Sequence, residues 1–189
     1  APSRGEKVNR MGGLFVIKIN KHHSLIMKPV DKKSLLFVCL GNICRSPAAE
    51  AILKYKLEDN KRLAGRIEVD SAGIGSWHEG QLPDRRMRSH GASRGYDLSS
   101  RARQIKPADF SRFDYVFAMD HQNVADLNRV ARNADDRKKI LCTADFMTRH
   151  PQYDTVPDPY YGGDADFELA LDLIEDACDG IIAWLEKQL

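Results

Sequence analysis

Ser34-Leu-Leu-Phe-Val-Cys-Leu-Gly-Asn-Ile-Cys-Arg-Ser-Pro47 is the stretch on which the fold turns. After Ser34 it runs apolar without a break to Cys39, the pattern of a strand buried on both faces of a parallel sheet. A Gly-containing loop follows at 40–45. Ser46 and Pro47 then read as an N-cap and first helical position, and Ile52, Leu53, Lys56 and Leu57 recur at helical spacing. Strand, loop and helix start therefore succeed one another within some twenty positions.

Outward from this unit the alternation continues. Ile67-Glu-Val-Asp-Ser-Ala72 reads as a second strand, Tyr115-Val-Phe-Ala-Met119 as a third and Lys139-Ile-Leu-Cys142 as a fourth, with helix-compatible segments between them. Such alternation predicts an α/β single domain, a four-stranded parallel sheet flanked by helices. Segments 73–80 and 151–163, rich in Gly, Pro and Asp, are expected as surface loops. Phe167, Leu171, Ile174, Cys178, Ile181 and Leu185 step by four and three, the buried stripe of a long closing helix. In an open α/β sheet, ligands sit beyond the carboxyl ends of the strands, so the loops after Cys39 and after the second strand are where function is expected.

The composition sets bounds. Hydrophobic residues make up 42% and charged residues 30% of the 189 positions, as in an ordinary globular chain, and no apolar run is long enough to span a bilayer. Lys and Arg exceed Asp and Glu by two and are scattered, which gives no nucleic-acid footprint. Four cysteines are too few for a disulfide scaffold in a chain with length enough for a core, so a reducing, cytoplasmic setting is expected. The chain opens on Ala1, with Met11 and Met27 as alternative starts. Residues 1–33 are therefore expected to be an N-terminal extension, in part an expression remnant, ahead of a domain at 34–189. The apolar run at 13–17 is short and is followed by Lys18, Lys21, His22 and His23 rather than by a small-residue cleavage site, which argues against a secretion signal.

The loop at 39–47 carries the chemistry. Between a strand and a helix N-terminus, free amides and the helix dipole make an anion site, and consecutive amides fold into a nest around an oxyanion. Gly41 permits the positive φ of a tight wrap and Asn42 tolerates it. Cys39 in that field is expected as the thiolate, the nucleophilic form. Arg45 offers a planar fork matched to two phosphate oxygens, and Ser46 a hydroxyl for the sulfur.

These residues resemble the low-molecular-weight protein tyrosine phosphatases, whose signature of Cys, five residues, Arg and Ser or Thr is present in Val38-Cys39-Leu40-Gly41-Asn42-Ile43-Cys44-Arg45-Ser46. Further matches are Asp70-Ser71-Ala72-Gly73 with Trp77, Ala118-Met119-Asp120 with Asn123, and Asp158-Pro159-Tyr160-Tyr161-Gly162-Gly163. The resemblance runs from about Leu35 to the C-terminus and implies a Rossmann-like fold and hydrolysis of phosphotyrosine in proteins, without a cofactor or metal. It assigns Cys39 as nucleophile, Arg45 as phosphate clamp and Asp158 as general acid and then base. A carboxylic acid is needed because a phosphate ester expels its leaving oxygen poorly unless that oxygen is protonated. Leu40, Gly41, Asn42, Ile43, Cys44, Ser46, Trp77 and Tyr160 are implied as the phosphate cradle and crevice walls, with Asn42 and Ser71 in a network that holds the loop. Cys44 matches a second loop cysteine, with a structural thiol as the other reading. Cys142 and Cys178 read as core. Tyrosine-phosphorylated proteins are the expected partners, with no nucleic acid, no membrane and a monomeric chain.

Three other readings are weighed. Arsenate reduction on the same fold needs a close pair of resolving cysteines, and Cys142 and Cys178 lie far apart. Arginine dephosphorylation goes with a smaller residue at Ile43. A zinc module on Cys39 and Cys44 would need His78, His90, His121 or His150, none of which forms a paired motif.

Overall fold

A computed structural model describes the backbone at residues 8–11, 14–19 and 23–24 and the whole of 31–189. The first set forms a three-stranded antiparallel sheet of β1 (Val8–Met11), β2 (Leu14–Ile19) and β3 (His23–Ser24). The expected extension at 1–33 falls for the most part outside the described residues.

The second compact unit, Lys32–Leu189, contains β4 (Lys33–Cys39), α1 (Arg45–Glu58), β5 (Ile67–Gly73), α2 (Arg85–Ser93), α3 (Asp109–Arg112), β6 (Tyr115–Ala118), α4 (His121–Val130), α5 (Ala134–Lys138), β7 (Ile140–Cys142) and α6 (Asp164–Gln188). Its sheet has four strands in the order β5-β4-β6-β7, every neighbouring pair parallel, as the apolar runs predict. The strand β4 sits between two neighbours, which explains its unbroken hydrophobicity: successive side chains point to opposite faces and both faces are covered. Leu35, Phe37 and Cys39 join the core under α1 and α6. Leu36 and Val38 join the core of Phe110, Phe113, Val116 and Leu127. All six stripe residues of α6 are fully buried.

Two expectations are corrected. Ser46 is not the N-cap of the first helix; Cys44 is, without a side-chain cap, and α1 begins at Arg45. The Ser46 hydroxyl is committed elsewhere, to the Cys39 sulfur, the Asn42 amide and the Ala72 carbonyl. Cys142 is only half-buried, because β7 is the sheet's edge.

The candidate site forms where β4 ends. The chain leaving Cys39 is held against β5's continuation by Ile74 N donating to Cys39 O and Gly75 N to Leu40 O, each at 2.9 Å. On the other side Met119 N donates to Val38 O, and Val156 N to Met119 O. These bonds gather segments 40–45, 74–78, 119–123 and 156–161 around the C-terminal ends of the sheet.

Candidate active site

Cys39 is the last residue of β4 and is 3% exposed. Its Sγ lies 3.1 Å from Ser46 Oγ. Between them the loop turns back through Asn42, which adopts φ +57°, a left-handed conformation that Asn tolerates better than most residues. Asn42 holds the turn with its amide: Nδ2 donates to Ser46 Oγ and Ser71 Oγ, both at 2.9 Å, and Oδ1 accepts from Arg103 N at 2.9 Å. Arg103 is fixed by Asp70 and Asp109. Asn42, Ser46 and Ser71 are all buried.

Arg45, the first residue of α1, is 2% exposed. Its Nη1 donates to Asp120 Oδ2 at 2.6 Å and to Val156 O at 3.0 Å, and its Nη2 to Asp158 Oδ2 at 3.1 Å. Burial disfavours the charged guanidinium, but Cys39, Asp158 and Asp120 outweigh it and raise the pKa above its ordinary value. The buried Nε has no protein partner among the described residues. A buried donor left unpaired is costly unless an acceptor comes to it, and an oxyanion at the sulfur is such an acceptor.

Asp158 reaches the site from the loop between β7 and α6. Its carboxylate is 40% exposed and also accepts from Tyr160 N through Oδ1. Tyr160 is fastened by Arg86, which donates to its carbonyl at 2.9 Å and lies over its ring. Cys39, Leu40, Gly41, Ile43, Cys44, Asp158, Trp77 and Tyr160 line one crevice of about 240 Å³. The sequence-derived site residues thus converge, with Asn42, Arg45 and Ser46 supporting its floor. Trp77 and Leu40 stand exposed on the rim, whereas Ile43 is buried in the wall. Burial, with Asp84 adding to it, pushes the Cys44 thiol well above its usual range, so it stays protonated.

Four groups escaped the sequence reading. His78 and Tyr161 also line the crevice. Asp120, noted only as part of a motif, is Arg45's shortest partner and the N-cap of α4. Glu50 is a buried carboxylate behind the loop. A polar residue on the buried face of α1 was the signal available for the last. A larger cavity of about 440 Å³, between α1 and residues 95–100, contains none of the groups around Cys39 but is lined in part by Glu50. No group of three or more His, Cys, Asp or Glu that could hold a metal occurs among the described residues. His78, His90, His121 and His150 are taken instead by Gln81, by Glu168 and Asp164, by Asp154 and by Asp176. No helix of the described residues is long and apolar enough to cross a membrane.

Residues 34–189 match the family described as low molecular weight phosphotyrosine protein phosphatase. A low molecular weight protein-tyrosine-phosphatase of Streptomyces coelicolor is 42% identical over 154 residues, 81% of this chain and 93% of that protein. A protein tyrosine phosphatase from Entamoeba histolytica, solved with Hepes in its active site, superposes with a TM-score of 0.79 at 47% identity, covering 83% of this chain and 99% of its own. An arginine phosphatase from Drosophila superposes at 0.73 with 34% identity, covering 80% of this chain and 96% of its own.

Proposed function

This chain belongs to the low molecular weight phosphotyrosine protein phosphatases, and from that premise we propose that it hydrolyses phosphotyrosine in proteins through a phosphocysteine on Cys39. The Cys39 thiolate attacks phosphorus, forming the S–P bond as the P–O bond to the phenol breaks. Asp158, protonated at that point, gives its proton to the departing oxygen. A water then attacks the phosphocysteine while the Asp158 carboxylate takes its proton. The S–P bond breaks with its electron pair returning to sulfur, where the Ser46 hydroxyl donates to it. Arg45 and the loop amides hold the phosphoryl oxygens throughout.

The observation that carries this reading is the meeting of three groups: a cysteine at a strand end and a carboxylate that line one crevice, and a buried guanidinium with an unpartnered Nε that is bonded to that carboxylate. Tyrosine is preferred over arginine because Ile43 fills the wall and Trp77, Leu40 and Tyr160 frame a mouth suited to an aromatic ring. The whole activity is assigned to residues 34–189, so removing the residues before Met27 should leave turnover intact.

The test is turnover of an aryl phosphate, with chelator present, by the wild type and by Cys39→Ser and Arg45→Ala. Both variants are expected to lose nearly all activity, Arg45→Ala also losing phosphate binding. Near-normal turnover in either overturns the roles. Phosphotyrosine and phosphoarginine peptides compared side by side decide the substrate; equal or better release from phosphoarginine overturns the tyrosine assignment.

A further inference from the structure

Trp77 lines the crevice beside Cys39, yet it is 68% exposed. An exposed indole is ordinarily free to change rotamer, and holding one still for a ligand costs order. The backbone on either side of it is anchored to the phosphate loop. Ahead of it, Ile74 N and Gly75 N donate to Cys39 O and Leu40 O. Behind it, the His78 ring lies over Gly41, with Nδ1 paired to Gln81 Oε1 at 3.1 Å. The indole itself rests on the residue two positions before it.

An ideal Cβ on Gly75 would fall against Trp77 Cζ3, Cε3 and Cη2, all far inside the roughly 3.5–4.0 Å at which carbon atoms rest. The ring therefore occupies the space that any side chain at 75 would need. Backbone conformation does not ask for glycine there, since the glycines in the left-handed region are Gly65, Gly80 and Gly95. Space does. The kind of neighbour matters too: an added Cβ at Gly73 or Gly180 meets backbone atoms, whereas the three nearest atoms at Gly75 all belong to one exposed side chain that can swing away.

We propose that Gly75 is a positioning residue for substrate specificity: its bare Cα is the seat that holds the Trp77 indole in the crevice wall, so that an aryl group meets a wall already formed. The inference rests on the aryl phosphate reading of the crevice. Tyr160, the other aromatic wall, is fastened by Arg86, which leaves both rings in place before a ligand arrives. Walls ordered in advance spare an aryl ligand the cost of ordering them. Inorganic phosphate has no ring and gains nothing from the arrangement. A side chain at 75 pushes the indole off its seat, and the same phosphate cradle then discriminates less between an aryl ligand and bare phosphate.

Gly75→Ala is tested with phenylphosphonate and inorganic phosphate as inhibitors of aryl phosphate turnover. Phenylphosphonate should bind about three- to tenfold more weakly, the size of one aromatic contact together with the ordering of one side chain. Inorganic phosphate should inhibit as in the wild type. For an aryl ester whose leaving group departs readily, KM should rise by a similar factor while kcat holds, because the aryl group has left before water attacks the phosphocysteine. The anisotropy decay of indole fluorescence is a reading that needs no turnover. Taken as the difference from Trp77→Ala, so that Trp184 cancels, it should gain a fast component absent from the wild type.

The double variant should bind phenylphosphonate no worse than Trp77→Ala alone, since Gly75 acts through Trp77. A folded Gly75→Ala with wild-type phenylphosphonate inhibition and anisotropy overturns the proposal, as does additivity with Trp77→Ala. Equal weakening of inorganic phosphate overturns it by placing the damage in the phosphate loop, through Leu40. Failure of Gly75→Ala to fold overturns it as well, because the backbone rather than the indole would then need the glycine. If Trp77→Ala itself binds phenylphosphonate like the wild type, the aryl reading of the crevice falls and takes this inference with it. If Trp77→Ala weakens that binding and Gly75→Ala does not, the Gly75 role alone is refuted.

Discussion

Replacing Gly73 by Ala should damage the phosphate loop from behind. Gly73 closes β5 directly opposite Cys39 in the parallel register. A Cβ added there would lie 2.9 Å from the Gly41 carbonyl carbon, 3.0 Å from Asn42 N and 3.1 Å from Asn42 Cβ. Carbon atoms in contact prefer roughly 3.5–4.0 Å, so at least about half an ångström must be found. No rotamer change supplies it, because the atoms met are backbone and a Cβ. Nor can β5 easily retreat: Gly73 N donates to Arg103 O and Gly73 O accepts from Ile105 N, both at 2.8 Å. The loop at Gly41–Asn42 has to move, and with it the amides that would cradle the phosphate. Overpacking of this kind costs about 1–3 kcal/mol of stability. A misplacement of about 1 Å can cost about a hundredfold in rate, so half of that predicts a fall in kcat/KM of about tenfold or more. The assay is aryl phosphate turnover with inhibition by inorganic phosphate, which should weaken as well, alongside urea unfolding. Gly65→Ala is the control. Gly65 has φ +72° and nothing within 4 Å of an added Cβ, so Ala there should cost about 1 kcal/mol through backbone strain and leave turnover alone. Wild-type kcat/KM and phosphate inhibition in a folded Gly73→Ala would refute the reasoning.

Asp158→Ala should slow hydrolysis of phenyl phosphate strongly and that of an ester with a weakly basic leaving group much less; equal slowing would remove Asp158 from the acid's role. Asp176, fully buried on α6, is held at about 2 from 3.8: burial pushes it up, but the Thr148 amide, the His150 ring and the Arg149 amide outweigh that. Its folded-state pKa is depressed, so its contribution, about 2 kcal/mol, is complete above about pH 4 and lost as pH falls towards 2. Asp176→Asn should destabilise in urea at pH 7 and flatten the acid limb of the stability profile; an equal loss at pH 7 and pH 2 would contradict this. Peroxide should inactivate the enzyme, with bound phosphate protecting Cys39 and a dithiol restoring activity, whereas Cys44, buried and held protonated, should not be the thiol first attacked. Inactivation that phosphate does not slow would place the sensitive thiol elsewhere.

The sheet was legible because it is written in local patterns. Leu35 to Cys39 is continuously apolar since β4 has a strand on either side and helices on both faces, and the α6 stripe repeats at helical spacing because one face of that helix is wholly buried. Local cues misled where a side chain had a long-range partner. Ser46 before Pro47 looks like a cap, yet its hydroxyl serves residues 39 and 42 and the carbonyl of 72. Cys142 looks like core in an apolar run, but nothing in that run says that β7 is an edge. The pairings that shape the site join residues far apart in the chain, Arg45 to Asp120 and Val156, Asn42 to Arg103, Glu50 to Ser71. Spacing carries no trace of these. Motifs could place Asp120 near the site without saying what it touches, whereas the family resemblance puts Ser71 with Asn42 in the network that holds the loop, where it is found.

The contacts of Arg45 bear on how the acid becomes available. Its guanidinium is gripped at 2.6 Å by Asp120, a carboxylate that also caps α4 through Asn123 N at 2.7 Å, and at 3.0 Å by the Val156 carbonyl, itself tied to β6 through Met119. Asp120 caps a helix, and Val156, although in the same loop as Asp158, is fully buried and bonded to Met119, so these two hold the fork in place. The third, Asp158, is longer at 3.1 Å and comes from an exposed loop. It is the partner that yields with the least disturbance. A phosphate entering the cradle brings oxyanions that compete for Nη2 and reach the unpartnered Nε, and two negative groups on one guanidinium edge repel each other. Displacement of the ionised Asp158, or its entry as the neutral acid, relieves that repulsion, and the neutral acid is the form that the proposed first step requires. On this account the Arg45–Asp158 pair is a resting contact exchanged for substrate, whereas the Arg45–Asp120 pair persists through the cycle. Asp120→Asn should therefore loosen the clamp in free and loaded enzyme alike and raise the phosphate inhibition constant. Asp158→Asn, which removes the competing charge, should tighten phosphate even as it abolishes proton transfer. Phosphate inhibition measured for the two variants separates these roles: weaker binding in both would mean that Asp158 also holds the clamp.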